Sequence, residues 1–567
     1  MPNKLFHYIK LMIGTPKSAF ITLIALYFLV VMHYFQHNVG GSGLDVPINP
    51  LGWIVVSGLV GLGLVQIIQQ RQFIYNKYLI VITACCCALL IPLIYSNEAG
   101  VFSHARLFGL FAGLGVLAAF YQMKLTDNER HRILWLILAG MFFESLFALA
   151  QFYVFPHIST MNMNIARPSA IFFQANVAAT FFATGIFIAL YLLKTLTAAQ
   201  KTLKLCLVIT VFTCALSVML LQSRTAFLGV LISAIIWFIV ERKISKVWLV
   251  SVLMAVVVAL ISFSVLEQTL RANNVYTDAG ARVEIYADSF ATFTQKPIMG
   301  HGYGTFGKAF REYQAHEYTV NNDHPQIYNL SHPHNELLFW AVEGGVVSLI
   351  PLFIIMLMSA NLFRSKSALL FLPLIFPIAL HLFTEFPFYH SVASYLTFLI
   401  LLALISEQTT YSKPLQFNYP KLTYALISIG IALNVFLMTA LIQGHATLTN
   451  AIRNQDIKEL VESNFILMSE NIELALNETL LHLAVEHNIP IGATEFNNWL
   501  APRLVSYPRA RHYQRLLTSY SYLKQKKAWK HTQQEAKRLF PTLDWNTPYN
   551  DSQLSKPLIS SAKGTSN

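Results

Sequence analysis

Residues 331–340 read Ser331-His332-Pro333-His334-Asn335-Glu336-Leu337-Leu338-Phe339-Trp340. Polar or ring-bearing through Glu336, they run directly into an apolar segment that ends near Phe363. Two imidazoles two residues apart thus stand where a polar loop meets a run long enough to cross a bilayer. A histidine pair in a loop is ordinary by itself, so its meaning depends on the rest of the chain.

The 567 residues are 55% hydrophobic and only 12% charged, with a mean hydropathy of +0.50. Soluble proteins carry about 25% charged residues, so the composition is that of a membrane protein. The cysteines Cys85, Cys86, Cys87, Cys206 and Cys214 all lie inside apolar stretches. They read as small hydrophobes, with neither a disulfide framework nor a zinc spacing. Three lysines in Met1 to Lys17 precede an apolar run over 19–35, followed by Gly40-Gly41-Ser42. A cleaved signal peptide has a shorter apolar core and a small-residue cleavage site, so this run reads as an uncleaved first span.

Windows of about 17–25 apolar residues can cross as helices. They fall at 19–35, 51–70, 78–95, 107–123, 133–155, 170–193, 203–221, 226–240, 247–265, 335–363, 367–383, 390–406 and 422–443, which makes about 13 transmembrane helices. The shortest, 226–240, is the weakest. With the N-terminus inside, one side of the membrane receives Lys4, Lys10, Lys17, Arg71, Lys77, Lys124, Arg130, Arg132, Lys194, Lys201, Lys204, Arg242, Lys243, Lys246, Arg364, Lys366, Lys413 and Lys421. The short loops on the other side receive only Arg106, Arg167 and Arg224. Cytoplasmic loops hold the excess of Lys and Arg, so the expected topology is N-terminus in and C-terminus out. The net charge of +12 is then largely cytoplasmic anchoring, and nucleic acid is not a partner.

Two polar regions fall outside: the loop 266–334 and the tail 444–567. The tail reads as a helical domain. Ile452, Ile457, Leu460 and Val461, then Leu474, Leu476, Leu480, Leu481 and Leu483, recur at helical spacing. A second helix pair has Tyr513, Leu516, Leu517 and Tyr520 on one face, turns at Lys524–Lys527 and stops at Pro541, in the manner of one tetratricopeptide-like unit. The last dozen residues are expected to be disordered. The fold class is therefore all-α: a polytopic membrane domain over 1–443 and a helical domain over 444–567.

Ionisable and amide side chains at span edges are costly and invite functional readings. Arg106, Arg167 and Arg224 are the outside arginines, and guanidinium forks suit phosphate oxygens; the competing reading is a side chain reaching headgroups. Arg282 opens an expected helix whose apolar face holds Ile285, Phe290 and Phe293. Lys296-Pro297-Ile298-Met299-Gly300-His301-Gly302-Tyr303-Gly304 follows. It lacks the Gly-Lys-Ser/Thr ending of a nucleotide loop and reads as a tight turn over the membrane. Gln174 and Asn176 place amides at the outer end of a span. Glu385-Phe386-Pro387-Phe388-Tyr389-His390 makes a short outer turn.

Taken in order, these residues resemble a known family. His332-Pro333-His334-Asn335-Glu336 with Glu343-Gly344-Gly345, Ser223-Arg224, Arg282 with the Pro297–Gly304 run, Gln174 with Asn176, and the helical tail resemble the O-antigen ligase/polymerase superfamily over about residues 1–540. Within it they are most similar to bacterial protein O-oligosaccharyltransferases of the PglL type, which glycosylate pilins. The resemblance implies a multi-pass inner-membrane glycosyltransferase with its active site and C-terminus periplasmic. It implies en bloc transfer of an oligosaccharide from undecaprenyl diphosphate to a Ser/Thr hydroxyl of a protein acceptor such as a type IV pilin. No cofactor or metal is implied. Histidine suits proton abstraction from a hydroxyl near neutral pH; His334, beside Asn335, is the first expectation for that base and His332 the second. Arg224 and Arg282, with Arg167 and Arg106, would hold the diphosphate. Gln174, Asn176, Tyr389, Asn335 and Glu336 would orient substrate. The sibling reading is a lipopolysaccharide O-antigen ligase or polymerase, which often lacks the tail. A glycan-lipid transporter is a reading of another class, but transporters place their sites at the bilayer midplane, and these residues cluster at one face. A scaffold protein would explain the tail alone.

Overall fold

The computed structural model describes residues 14–36, 38, 40–96, 98–155, 167–265, 282–416, 422–454 and 456–545. The first part of the large loop, Gly280 and Ala281 included, and the last 22 residues lie outside the described set, as do Lys4, Lys10 and Lys421. Twelve helices among the described residues are long and apolar enough to span a membrane: Pro16–His33, Ile48–Gln70, Lys77–Tyr95, Ala99–Met123, Asp127–Tyr153, Ala175–Thr195, Lys201–Leu221, Arg224–Glu241, Lys246–Val265, Glu336–Phe363, Val392–Thr409 and Leu422–Asn454. The all-α polytopic fold expected from sequence is therefore present. The window 367–383 departs from it.

That window is not one helix. It divides into Lys366–Leu369 and Leu372–His381, because Pro373 cannot donate into a continuing helix and its ring obstructs the preceding turn. Ten residues rise about 15 Å, half of a ~30 Å hydrocarbon core. The chain nonetheless returns to the side on which Glu336–Phe363 begins. Glu336–Phe363 rises roughly 42 Å from the His334 end, yet His334 and Glu385 are in contact. Residues 364–384 must therefore return across the same thickness, as a broken segment packed between neighbours. Arg224–Glu241 lies against it so closely that a Cβ on Gly229 would sit 3.2 Å from Pro377 Cα; small residues permit such approaches in membrane helix pairs.

Cross-chain contacts sort the connections into two sides. Lys17 bonds the Lys124 carbonyl and Glu129, Arg130 pairs with Glu407, and Lys194 with Glu241. Gln72–Asn76 forms a two-stranded ribbon with Ser412–Gln416 on that same side. On the other side Asn49 reaches the His390 carbonyl, and Asn471 reaches that of Gly40. These groupings coincide with the alternation read from the lysines and arginines.

Glu336–Ala360 is interrupted at Gly345, whose φ of 62° and ψ of −158° are not helical. A break inside a membrane helix strands backbone donors and acceptors, and here the run Pro297–Gly304 satisfies them. His301 N donates to Val342 O (2.8 Å), Gly302 N to Glu343 O (2.9 Å), Val346 N to Pro297 O (2.9 Å) and Val347 N to Ile298 O (3.3 Å). The glycines allow the two backbones to touch: a Cβ on Gly300 would lie 2.5 Å from Glu343 C and O, and one on Gly345 2.2 Å from Ile298 O. The glycine run expected as a turn over the membrane is the plug of a broken helix.

The tail is helical as expected, with Glu470–Glu486 packed on Pro490–Leu504 and Ala510–Tyr522 on Lys526–Leu539. The boundary placed at 443 is not a break, since Leu422–Asn454 passes through it as one helix of 33 residues. Gly345→Ala, which adds a clash at a left-handed position, is expected to destabilise the protein by about 2–4 kcal/mol. Gly430→Ala, mid-helix in open space, should instead be neutral or stabilising by about 0.5–1 kcal/mol. Thermal unfolding of both variants in one detergent checks the contrast.

Candidate active site

Local sequence shapes the histidine loop. Pro333 forces the residue before it into extended backbone, so the chain cannot turn helical at His332. His334 then takes a φ of +55°, uncommon for a residue with a side chain. Asn335 caps the following helix, its Oδ1 accepting from Leu338 N at 3.1 Å. Its Nδ2 donates to Phe383 O at 3.1 Å. Both ends of the amide expected to meet substrate are thus used in holding the loop.

The two imidazoles differ in what is left to them. His332 is 6% exposed, boxed by Phe339 and Phe386 at ring distances of 4.5 and 4.4 Å. Its Nδ1 accepts the His334 backbone N–H at 2.9 Å, which occupies the lone pair of the neutral ring and leaves the proton on Nε2. The Glu336 carboxylate faces that nitrogen at 3.6 Å and also accepts from Trp340 Nε1 at 3.2 Å. Burial holds the His332 pKa below its ordinary value, against the opposing pull of Glu336.

His334 is about a quarter exposed, and its Nδ1 lies 2.6 Å from Glu385 Oε2. Glu385 is buried, and its other oxygen accepts from Arg282. Burial alone would raise the Glu385 carboxyl; the hydrogen bond and charge of His334, with the charge of Arg282, outweigh it and hold the pKa at about 2. An ionised carboxylate only accepts, so Nδ1 of His334 carries a proton, and in the neutral ring Nε2 carries the lone pair. Tyr286, not singled out from sequence, donates to the carbonyls of His334 and Phe383 at 3.0 and 3.1 Å. No local pattern marked it; it faces the loop one helical turn beyond Arg282.

The arginines separate into two kinds. Arg106 is buried, paired with Glu343 at 2.5 Å and stacked on Trp340, Phe339 and Tyr303 at 4.2, 4.4 and 4.9 Å. Glu343 also accepts from Phe306 N at 3.1 Å, so this pair ties the helix break to the loop. Arg167 donates from Nε and Nη2 to Leu221 O at 2.8 and 2.5 Å, and to Asn176 Oδ1 at 3.2 Å; it closes a helix C-terminus, where a cation is favoured. Arg282 holds Glu385. Arg224 begins a helix capped by Ser223, and the adjacent Thr225 lies 3.0 Å from Thr384 Oγ1, beside Glu385.

Gln174 is the N-cap residue of Ala175–Thr195, with no side-chain cap bond. That helix is joined to the same turn by Thr180, 2.9 Å from His381 Nδ1. Tyr389 lies 5.9 Å from His332, ring to ring, and burial pushes its phenol well above the ordinary value. Helices starting at Ala175, Arg224 and Glu336 therefore have their positive ends at the same face as the His334–Glu385–Arg282 cluster, an electrostatic setting for an anion. Among the described residues no group of three or more His, Cys, Asp or Glu side chains is arranged to hold a metal ion.

Residues 209–353 match the family model described as O-antigen ligase. Residues 369–549 match the one described as virulence factor membrane-bound polymerase, C-terminal. No curated protein matches the chain.

With a folded pKa of about 2 against an ordinary 4.5, the stabilisation from ionised Glu385 is complete above about pH 4.5 and is lost as pH falls toward 2, a difference of about 3 kcal/mol. Glu385→Gln should therefore lower stability most near pH 6, with the gap to wild type narrowing below about pH 4.5. Unfolding midpoints across that range measure it, and a gap independent of pH would count against the ion cluster.

Proposed function

The chain belongs to the O-antigen ligase/polymerase superfamily, and from that premise we propose that it transfers an oligosaccharide en bloc from undecaprenyl diphosphate to a Ser or Thr hydroxyl of a periplasmic protein such as a type IV pilin. The superfamily is one of membrane glycosyl-transfer enzymes acting on lipid-linked glycans. The observation that carries the reading is the His334–Glu385–Arg282 arrangement, with the basic Nε2 of His334 opposite the carboxylate-bound Nδ1.

In the proposed step the acceptor oxygen attacks the anomeric carbon as its proton passes to His334 Nε2. The bond from that carbon to the diphosphate oxygen breaks, and its electron pair leaves with the lipid diphosphate. Glu385 orients the ring and stabilises the imidazolium, as carboxylates do beside catalytic histidines. Arg224 meets the growing negative charge. Arg282 can share that task, because a guanidinium has five N–H donors and its bond to Glu385 uses few of them. Preorganised cations of this kind lower the barrier most where charge develops. Gln174, Asn176 and Tyr389 are proposed to border the sugar. Arg106, Arg167, Asn335 and Glu336 act through the framework, and His332 positions His334. No step is routed through a metal. The site is proposed to face the periplasm from the bacterial inner membrane, in keeping with the charge split of the loops.

A glycan acceptor, as in O-antigen ligation or polymerisation, is the second reading, favoured by the descriptions of the two matching families. The tail of folded helices beside the site favours a protein.

Reconstitution with lipid-linked oligosaccharide and purified pilin is the test. His334→Ala should lower transfer by about a hundred- to ten-thousand-fold, and His332→Ala by about tenfold through misplacement of His334. Intact pilin mass beside a truncated lipopolysaccharide in a deletion strain would instead select the glycan acceptor. Wild-type rates from His334→Ala would remove the base assignment.

A further inference from the structure

The histidine loop carries two left-handed residues with side chains, Asn329 (φ 60°) and His334 (φ 55°). Such backbone persists only where surrounding contacts over-determine it. Tyr286, Asn335 and His332 hold its C-terminal half. Its N-terminal half is held from the tail domain, 178 residues later in the chain.

Tyr507 donates its hydroxyl to the Asn329 carbonyl, three residues before His332. Its ring lies on Gly307, where a Cβ would stand 2.6 Å from ring Cδ2; glycine there makes the fit possible. The neighbouring Ser506 bonds the Gly304 carbonyl through its hydroxyl and accepts from Lys308 N at 3.1 Å. The Arg509 guanidinium lies over the ring at 4.2 Å and is anchored to Glu470 at 2.9 Å.

We propose that Tyr507 is a positioning residue: the tail domain reaches over the membrane domain and, through this phenol, fixes the strained loop that aims His334. This rests on His334 being the base, and it gives the tail a role in turnover separate from acceptor binding.

The test uses the full-length protein with Tyr507→Phe, which keeps the ring and removes only the hydroxyl. A second variant, Gly307→Ala, keeps the hydroxyl and displaces the ring. Steady-state transfer and amide hydrogen exchange across residues 325–335 are read together, with exchange over 470–539 as the check that the tail stays folded. Loss of one such hydrogen bond is expected to lower kcat about five- to tenfold, to leave KM for donor and acceptor within about twofold, and to speed exchange in the loop alone. Unchanged kcat and unchanged loop exchange would overturn the proposal. So would a raised acceptor KM with kcat intact, which would make Tyr507 part of an acceptor surface. If His334→Ala also retains activity, the base assignment fails separately, and loop exchange in Tyr507→Phe then decides whether the tail holds the loop.

Discussion

The break in Glu336–Ala360 is the constraint on which the rest of the outer face depends. A helix cannot be interrupted in or beside hydrocarbon without new partners for its backbone groups, and the run from Pro297 to Gly304 supplies them at Val342, Glu343, Val346 and Val347. Because that run is locked there, Arg282–Gln295 on one side of it and Phe306–Val320 on the other are fixed in place. Arg106 seals the junction from below through Glu343. The segment of Glu336–Ala360 outside the break is thereby held rigid enough to carry a histidine loop at its start.

Charge is distributed accordingly. A buried carboxylate is retained only if paired, and each buried outer carboxylate at this junction has a cation: Glu343 has Arg106, and Glu385 has Arg282, with a hydrogen bond to His334 besides. Removing either cation would leave a buried charge uncompensated, which costs several kcal/mol. Arg106 pairs with Glu343 through one nitrogen, and Arg167 bonds the Leu221 carbonyl and the Asn176 amide oxygen. Arg282 and Arg224 stand at the edge of the turn that carries Glu385. Clustering at one face, and not at mid-depth, fits group transfer on a lipid headgroup better than transport through the bilayer.

Much of this was legible from pattern. Apolar windows located the spans, and the Lys/Arg split matched the sidedness that contacts such as Lys17–Glu129 and Asn49–His390 establish. The window 367–383 misled because hydropathy does not register that Pro373 and Pro377 divide it. The glycines of 300–304 and the pair Gly344-Gly345 were visible as motifs. That each motif completes the other was not, since no local signal says which distant backbone will approach. That Asn335 caps the helix and Glu336 faces His332 was not legible, because polar residues beside a histidine look alike in sequence whatever they face. Tyr286 carried no signal at all, and Tyr507 none that pointed to the histidine loop.

Composition and periodicity were sufficient for twelve of the thirteen expected spans, their relative sides and the position of the histidines at a membrane edge, because those follow from transfer free energies summed along the chain. Which of His332 and His334 has a ring nitrogen left over was not of that kind. It turns on which imidazole nitrogen meets the His334 backbone N–H and which meets Glu385, 51 residues away, held in turn by Arg282 across 103 residues. Only packing brings those groups within hydrogen-bond distance, and hydrogen-bond distance is what assigns the proton.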